Sequence, residues 1–226
     1  YEIVSRDWSS DVCSSDLDAI VGLVEQAERE LGERCTVGVG TPGALSLATG
    51  RIKNSNSLCL NGRPLKQDLE RRLGREVRIE NDANCFALSE AVDGAGSGAP
   101  VVFGVILGTG VGGGVCIGCR AIEGINAIAG EWGHNPLPGL EAEDEPIPRC
   151  HCGRLGCVEA YLAGPRFEAQ FTQRTGRTLK AADIVAAAAA GDAVAEACLA
   201  RYEARLARAL AVVRSEEHTS ELQSRE

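Results

Sequence analysis

The chain shows two hydrophobic periods, which together predict a mixture of helices and strands. Apolar residues recur every three or four positions over 19–31, the pattern of an amphipathic helix. Short apolar runs bounded by turn residues predict strands at Thr36–Val39, Val77–Ile79 and Val101–Leu107. The last run is continuous, as in a strand buried on both faces. Further helices are predicted at Leu65–Leu73, Ala181–Ala190 and Ala193–Val212. This mixture predicts an α/β fold with more than one layer.

Composition narrows the class of protein. The 226 residues are 44% hydrophobic and 24% charged, which is typical of a soluble globular protein with one large domain or two small ones. No apolar run is long enough to span a membrane, and a net charge of -9 argues against nucleic acid as the main partner. The ten cysteines are scattered through a core-sized chain, so we expect a reducing, cytoplasmic environment and no membrane partner.

The two ends of the chain are related at the level of DNA. One DNA string encodes Asp7–Leu17, and its reverse complement encodes Arg214–Ser224. The string resembles a sequencing-library adapter, and two unrelated protein segments should not share such a relationship. We therefore expect residues 1–17 and 214–226 to be non-native, and we base the fold prediction on the residues between them.

Three cysteines, Cys150, Cys152 and Cys157, lie within eight residues, and His134 precedes the first of them by sixteen. Three thiolates and one imidazole make a tetrahedral ligand set for zinc. A lone histidine is more often a core residue, but the cysteines favour His134 as the fourth ligand. His151 is a rival ligand, although a residue between two bound cysteines would point away from the metal. The sequence therefore predicts a zinc site.

Glycines are concentrated between two predicted strands, in Gly108–Gly114. The segment contains Gly-x-Gly-x-x-Gly, but a dinucleotide site needs a helix next, and Val115–Ile117 reads as a strand. No Gly-Lys-Ser/Thr follows, so the segment is not a P-loop. A hairpin this rich in glycine exposes amides that can approach a phosphate. A tight hairpin without a ligand is the alternative.

Polar residues follow the predicted strand Val77–Ile79 in Glu80–Asn84. Asp82 lies where the strand ends and a helix through Ala91 begins, a position that is commonly open to a cleft. A carboxylate at this position can accept a proton from an attacking hydroxyl. A helix cap is the alternative role for Asp82, and Asn84 is the predicted N-cap.

Five motifs occur in a characteristic order and spacing: Gly40–Gly43, Glu80–Cys85, Leu107–Gly114, Gly130–His134 and Cys150–Glu159. Together they resemble the ROK family of repressors, open reading frames and sugar kinases, and the resemblance covers essentially all of Asp18–Val213. It implies the actin-like, ribonuclease H-like ATPase fold, with lobes expected over 18–99 and 100–213. The family's Asp-x-Gly-Gly-Thr phosphate loop and glycine-rich adenosine segment do not occur here. We therefore expect a fold truncated at both ends and an inactive fragment.

The resemblance implies phosphorylation of a hexose by ATP, with Mg²⁺ and Zn²⁺ as further cofactors and a homodimer at full length. Asp82 would be the catalytic base. The implied sugar ligands are Asn56, Asn81, Glu131, His134 and Glu159. The implied phosphate loop comprises Gly108, Thr109, Gly110, Gly112, Gly113 and Gly114, and the implied zinc ligands are His134, Cys150, Cys152 and Cys157.

Three stretches look most like the fructokinase or manno(fructo)kinase branch of the family: Asn54–Pro64, Glu90–Gly94 and Ala129–Pro138. Fructose is therefore the expected substrate, with N-acetylglucosamine kinase or glucokinase as the alternative. Two alternatives belong to other classes: a sugar-sensing repressor of the same family and a bare zinc-binding interaction module. The intact Asp82 and glycine turn favour a kinase over both.

Overall fold

A computed structural model describes residues 14–55 and 57–222. The helices are α1 (Ser14–Leu31), α2 (Leu65–Leu73), α3 (Asp82–Val92), α4 (Val158–Leu162), α5 (Gly164–Thr175), α6 (Ala181–Ala189) and α7 (Ala193–Leu222). The strands are β1 (Val37–Thr41), β2 (Ala44–Leu45), β3 (Ile52–Lys53), β4 (Val77–Asn81), β5 (Val101–Leu107), β6 (Val111–Ile117) and β7 (Arg120–Ala121). Short 3-10 helices occur at Leu58–Leu60 and Ala142–Asp144. The predicted mixed α/β architecture is confirmed.

The described residues divide into two compact units. The first unit contains the residues up to Gly104 together with Gly114–Gly130, and the second contains Val105–Gly113 together with the residues from Glu131 onward. Strands β5 and β6 thus contribute residues to both units. The predicted zinc ligands all belong to the second unit, whereas Asn81 and Asp82 belong to the first.

The first unit is built on the parallel pair β1 and β4, in which Thr41 lies opposite Asn81. The carboxyl ends of both strands therefore meet at one edge, the usual location of ligand sites in parallel sheets. Helix α2 coincides with its prediction and is capped by Gly74, whose φ of 62° favours glycine. The buried core comprises Leu17, Ile52, Leu60, Leu65, Leu69 and Val77. Because Leu17 is only 8% exposed, the adapter-like segment Asp7–Leu17 contributes a core residue.

The hairpin formed by β5 and β6 differs from its prediction in two respects. Strand β6 begins at Val111 rather than at Val115, so the turn is shorter than predicted. The prediction that β5 is buried on both faces is wrong, because only its Gly104 is buried. In the described part of the chain, β5 lies at the edge of the three-stranded sheet β5-β6-β7. Helix α3 packs on this sheet, and a Cβ added to Gly114 would lie 2.5 Å from the Ala83 carbonyl oxygen.

The second unit is mainly helical beyond residue 157. Its core comprises Phe167, Phe171, Ile184, Ala188, Ala195 and Cys198, on helices α5, α6 and α7. A buried ion pair joins Arg205 of α7 to Asp144 at 2.7 Å. Burial alone would raise the pKa of Asp144, but the Glu141 amide and the Arg205 guanidinium outweigh this effect and hold the pKa below its usual value. None of the described helices combines the length and apolar character that crossing a membrane requires.

Candidate functional site

Asn81 and Asp82 lie at the junction of β4 and α3, where Asn81 caps the helix. Asn81 Oδ1 accepts hydrogen bonds from the amides of Ala83 and Asn84 at 2.9 and 3.1 Å. Asn81 Nδ2 donates to the Gly43 carbonyl oxygen at 2.8 Å, which ties this junction to the loop after β1. The prediction that Asn84 is the N-cap is wrong, because the helix already begins at Asp82.

Asp82 occupies the first position of helix α3 and is exposed. Partial desolvation raises the pKa of its carboxyl above the usual value for aspartate. The Ala83 amide donates to Asp82 Oδ1 at 2.9 Å and offsets only part of this shift. A carboxylate with a raised pKa accepts protons more readily than an ordinary aspartate, which suits a general base.

Sequence reasoning misses the contact between Glu80 and Asn84 that builds this turn. Glu80 Oε1 accepts from the Asn81 amide at 2.7 Å and from Asn84 Nδ2 at 3.0 Å. Asn84 is only 4% exposed, so its side chain supports the turn from inside. The negative charge of Glu80 also raises the pKa of Glu123. The one feature of the sequence that points to this turn is the density of polar residues directly after an apolar strand. We call Glu80–Asn84 the Asp82 turn.

The glycine turn between β5 and β6 comprises Gly108, Thr109 and Gly110. The Gly108 amide donates to the Gly110 carbonyl oxygen at 3.0 Å, and the Gly164 amide donates to the Gly108 carbonyl oxygen at 2.8 Å. The turn is therefore tied to the start of helix α5. The other glycines of the predicted phosphate loop, Gly112, Gly113 and Gly114, lie within strand β6.

Glu159 lies in the first turn of α4 and contacts the glycine turn. Glu159 Oε2 accepts from the Val111 amide at 3.0 Å, across 48 positions of sequence. Gly110 leaves room for the same oxygen, because a Cβ added there would lie 2.7 Å from it. The Glu159 amide donates to the Gly133 carbonyl oxygen at 2.8 Å. The carboxylate is therefore held in place, and its side chain is only 13% exposed.

The four predicted metal ligands lie together in the second unit. The ligand atoms of His134, Cys150, Cys152 and Cys157 all lie within 4.8 Å of one another. Cys150 Sγ is 3.5 Å from His134 Nδ1, and Cys152 Sγ is 3.7 Å from Cys157 Sγ. Around a tetrahedral zinc with bonds of about 2.3 Å, neighbouring sulfurs are roughly 3.8 Å apart. These residues can therefore hold a zinc ion with little movement. We call Cys150–Cys157 the cysteine loop.

The thiols of the cysteine loop differ in acidity. Hydrogen bonding by Arg154, first of all from its backbone amide, lowers the pKa of Cys152 to about 7. Burial raises the pKa of Cys157 to about 12. Since zinc binds thiolates, a zinc ion bound here would have to displace a proton from the buried Cys157, and such binding should be pH-dependent.

His151 does not point away from this region, contrary to the expectation for a residue between two ligands. His151 Nδ1 lies 2.9 Å from Glu159 Oε1 and 3.9 Å from Cys150 Sγ. Its ring meets the ring of His134 edge-on, with centroids 5.0 Å apart. The Gly153 amide donates to the Cys150 carbonyl oxygen at 3.0 Å, so the loop turns back on itself at His151. No spacing rule in the sequence predicts this orientation.

The predicted sugar ligands are divided between the units. Glu131 is exposed and lies in the second unit with His134 and Glu159, whereas Asn81 lies in the first. Asn56 lies outside the described residues. The structure therefore brings His134 and Glu159 to one place, together with the glycine turn and the cysteine loop.

Comparison with known proteins reveals relatives that are sugar kinases by name. The N-acetyl-D-glucosamine kinase of Salmonella typhimurium is 43% identical over 193 residues, which are 84% of this chain and 64% of that protein. The chain thus spans slightly less than two thirds of the length of the curated relatives that it matches.

Solved structures share the fold. The ROK hexokinase from Thermus thermophilus is 32% identical, with a TM-score of 0.78 over 92% of this chain and 68% of that chain. The ROK family glucokinase from Streptomyces griseus, in complex with glucose and AMPPNP, is 28% identical, with a TM-score of 0.71 over 91% and 70%. These likenesses confirm the actin-like ATPase fold. The model of the ROK family matches residues 6–216, and the chain belongs to the ROK family.

Proposed function

We propose that the full-length protein is a sugar kinase that transfers a phosphoryl group from ATP to N-acetyl-D-glucosamine. The observation that carries this proposal is the position of Asp82, an exposed carboxylate at the carboxyl end of strand β4 and the start of helix α3, and partial desolvation raises its pKa. Such a group suits the abstraction of a proton from a sugar hydroxyl. The likeness to a named N-acetyl-D-glucosamine kinase supports the choice of sugar.

The proposed reaction assigns one proton and one phosphoryl group. Asp82 accepts the hydroxyl proton while the sugar oxygen bonds to the γ-phosphorus of ATP, and the bond from that phosphorus to the bridging oxygen breaks to release ADP. Mg²⁺ bound to ATP would neutralise charge on the phosphates. The glycine turn Gly108–Gly110, with Gly112–Gly114 behind it in β6, is the proposed phosphate-facing segment.

The proposed sugar ligands are Asn81, Glu131, His134 and Glu159, with Asn56 as a further candidate. Carboxylates, amides and imidazoles recognise sugar hydroxyls by hydrogen bonds and reject analogues that lack them. Asn81 already uses Oδ1 to cap helix α3 and one Nδ2 hydrogen to bind Gly43, so only its second Nδ2 hydrogen is left for a sugar.

We infer that His134, Cys150, Cys152 and Cys157 hold a structural zinc ion. The spacing of their ligand atoms supports this, since it approaches the edges of a tetrahedron around zinc. The bound metal would supply rigidity rather than chemistry, because four protein ligands leave no open position. It would fix the cysteine loop, and through that loop the start of helix α4, which carries Glu159.

Fructose has less support than N-acetyl-D-glucosamine as the substrate. Three sequence stretches resemble the fructokinase branch, but the curated relative reported above is 43% identical and is an N-acetyl-D-glucosamine kinase by name. The two sugars differ at C2, where one carries an acetamido group, so a site complementary to one sugar should discriminate strongly against the other.

A coupled kinase assay of the full-length protein tests the proposal over N-acetyl-D-glucosamine, fructose, mannose and glucose. N-acetyl-D-glucosamine should give the highest kcat/KM. Asp82→Asn should lower kcat by about 1,000-fold or more, because the base is lost while the shape of the side chain is kept.

Asp68→Asn is the matched control, since Asp68 lies in the first turn of α2 and pairs with Arg71 at the surface. It should keep wild-type activity. Turnover retained in Asp82→Asn would exclude Asp82 as the base. Sugar binding without ATP turnover in the wild type would favour a sugar-sensing repressor instead.

A further inference from the structure

The carboxylate of Glu159 is held at both of its oxygens. Oε2 accepts from the Val111 amide at 3.0 Å and lies in the space that the absent side chain of Gly110 leaves open. Oε1 lies 2.9 Å from Nδ1 of His151. The backbone contact fixes one oxygen, so the orientation of the other depends on the only side-chain nitrogen within ion-pair distance among the described residues.

His151 also lies between two groups that carry negative charge when a metal is bound. Its Nδ1 is 2.9 Å from Glu159 Oε1 and 3.9 Å from Cys150 Sγ, and these two acceptors are themselves 3.9 Å apart. A thiolate and a carboxylate at that separation repel each other. An N–H donor beside both reduces the repulsion, and a neutral imidazole protonated at Nδ1 supplies such a donor as well as a charged one does.

The position of His151 distinguishes it from a zinc ligand. The cluster of one imidazole and three thiols forms without His151, whose ligand nitrogen lies within 4.8 Å of ligand atoms of His134 and Glu159. The His151 side chain is 65% exposed. The tetrahedral set is complete without it. His151 is thus available to bind a neighbouring group while the metal stays in place.

We propose that His151 is a positioning residue that orients Glu159 for sugar binding and shields it from the charge of the cysteine loop. This inference rests on the proposed function, because it assumes that Glu159 binds a sugar hydroxyl. Without His151, Glu159 Oε1 would turn away from the cysteine-loop sulfur, and the sugar would lose a pre-oriented acceptor. Binding of zinc and of ATP would be unaffected.

The test compares three variants of the zinc-loaded, full-length protein. His151→Ala removes the donor, and His151→Asn replaces Nδ1 with an amide nitrogen at nearly the same place. Arg149→Ala, directly before the cysteine loop, is the control. Calorimetry with N-acetyl-D-glucosamine alone measures sugar affinity, metal analysis measures zinc content, and steady-state kinetics measures KM for ATP.

His151→Ala should weaken sugar binding by about tenfold, the usual effect of losing one hydrogen bond to a charged group. Zinc content and KM for ATP should stay at wild-type values, His151→Asn should recover most of the affinity, and Arg149→Ala should match the wild type. Loss of zinc in His151→Ala, or failure of His151→Asn to recover affinity, would overturn the inference.

The same experiment separates this inference from the proposed function. If the wild type binds and phosphorylates the sugar and His151→Ala binds it equally well, the positioning role is excluded and the kinase proposal stands. If the wild type binds no sugar at all, the proposed function fails and the positioning role fails with it.

Discussion

The Asp82 turn and the surroundings of Glu159 present carboxylates in opposite ways. The turn is mostly local, since Glu80, Asn81 and Asn84 hold one another through hydrogen bonds that span at most four residues, and Asn81 adds one distant contact with Gly43. Glu159 depends on partners from distant segments, including Val111 at 48 positions and Gly133. A locally built turn should tolerate damage elsewhere, whereas the orientation of Glu159 should fail when any of its distant supports is lost.

The largest expected difference between these regions follows removal of the metal. Cys157→Ser should abolish zinc binding and destabilise the second unit by several kcal/mol, because the metal contributes its binding free energy to folding. Hydrogen exchange followed by mass spectrometry should then show faster exchange over residues 131–163 and unchanged exchange over 77–92. Cys119→Ser, at an exposed cysteine of the first unit, should leave both segments unchanged. Equally faster exchange in both segments would contradict the contrast between a mostly local turn and a carboxylate held by distant contacts.

A methyl group added at Gly133 should produce the next largest effect. An alanine Cβ there would lie 2.1 Å from the Val111 carbonyl oxygen, so either strand β6 or the segment leading to His134 must move. We expect a loss of about 2–4 kcal/mol in the free energy of unfolding. Gly112→Ala is the matched control, since a Cβ there meets no atom within 4 Å. The measurement is denaturant unfolding, and near-equal midpoints for the two variants would show that β6 adapts freely.

The contrast between local and distant contacts also explains which features of the structure the sequence predicts and which it does not. Short periods and spacings predict helix α2, the strand that precedes Asp82 and the grouping of His134 with three cysteines, and the structure contains all three. The sequence does not predict where β6 begins. Its first residues, Val111–Gly114, look like turn residues and form a strand only where neighbouring segments contact them. The orientation of His151 toward Glu159 likewise depends on a turn of the cysteine loop that no spacing rule encodes. Asn84 is predicted as the cap, but it lies inside helix α3, where its buried side chain contacts Glu80.

Substitution of Asn81 separates the two hydrogen-bonding tasks of the Asp82 turn. Asn81→Ser keeps a helix-capping oxygen but loses the contact with the Gly43 carbonyl oxygen, whereas Asn81→Ala loses both. We expect Asn81→Ala to cost about 1–2 kcal/mol and Asn81→Ser roughly half of that. Thermal unfolding checks the order. Exchange over residues 131–163 should not change in either variant, and an equal loss in both would assign the whole effect to the contact with Gly43.

The smallest expected effect is the pH dependence that Asp82 gives to stability. Because desolvation raises its folded pKa, Asp82 favours the folded state only while it is protonated, so its contribution is complete below the ordinary pKa of aspartate. That contribution is lost as the pH rises through the raised pKa. Asp82→Asn mimics the protonated form, so this variant should gain stability relative to the wild type over this range and keep the gain at neutral pH.

Urea unfolding of the wild type and Asp82→Asn between about pH 3.5 and pH 7 checks this prediction. Asp68→Asn corrects for the loss of a negative charge at the start of a helix, which alone tends to destabilise the helix. The side chain is exposed, so solvent screening should keep the gain small. If the stability of Asp82→Asn relative to the wild type falls as the pH rises, the carboxylate is stabilised rather than desolvated in the folded turn. A local turn would then hold Asp82 by favourable contacts, and its readiness to accept a proton would have to come from the bound substrate.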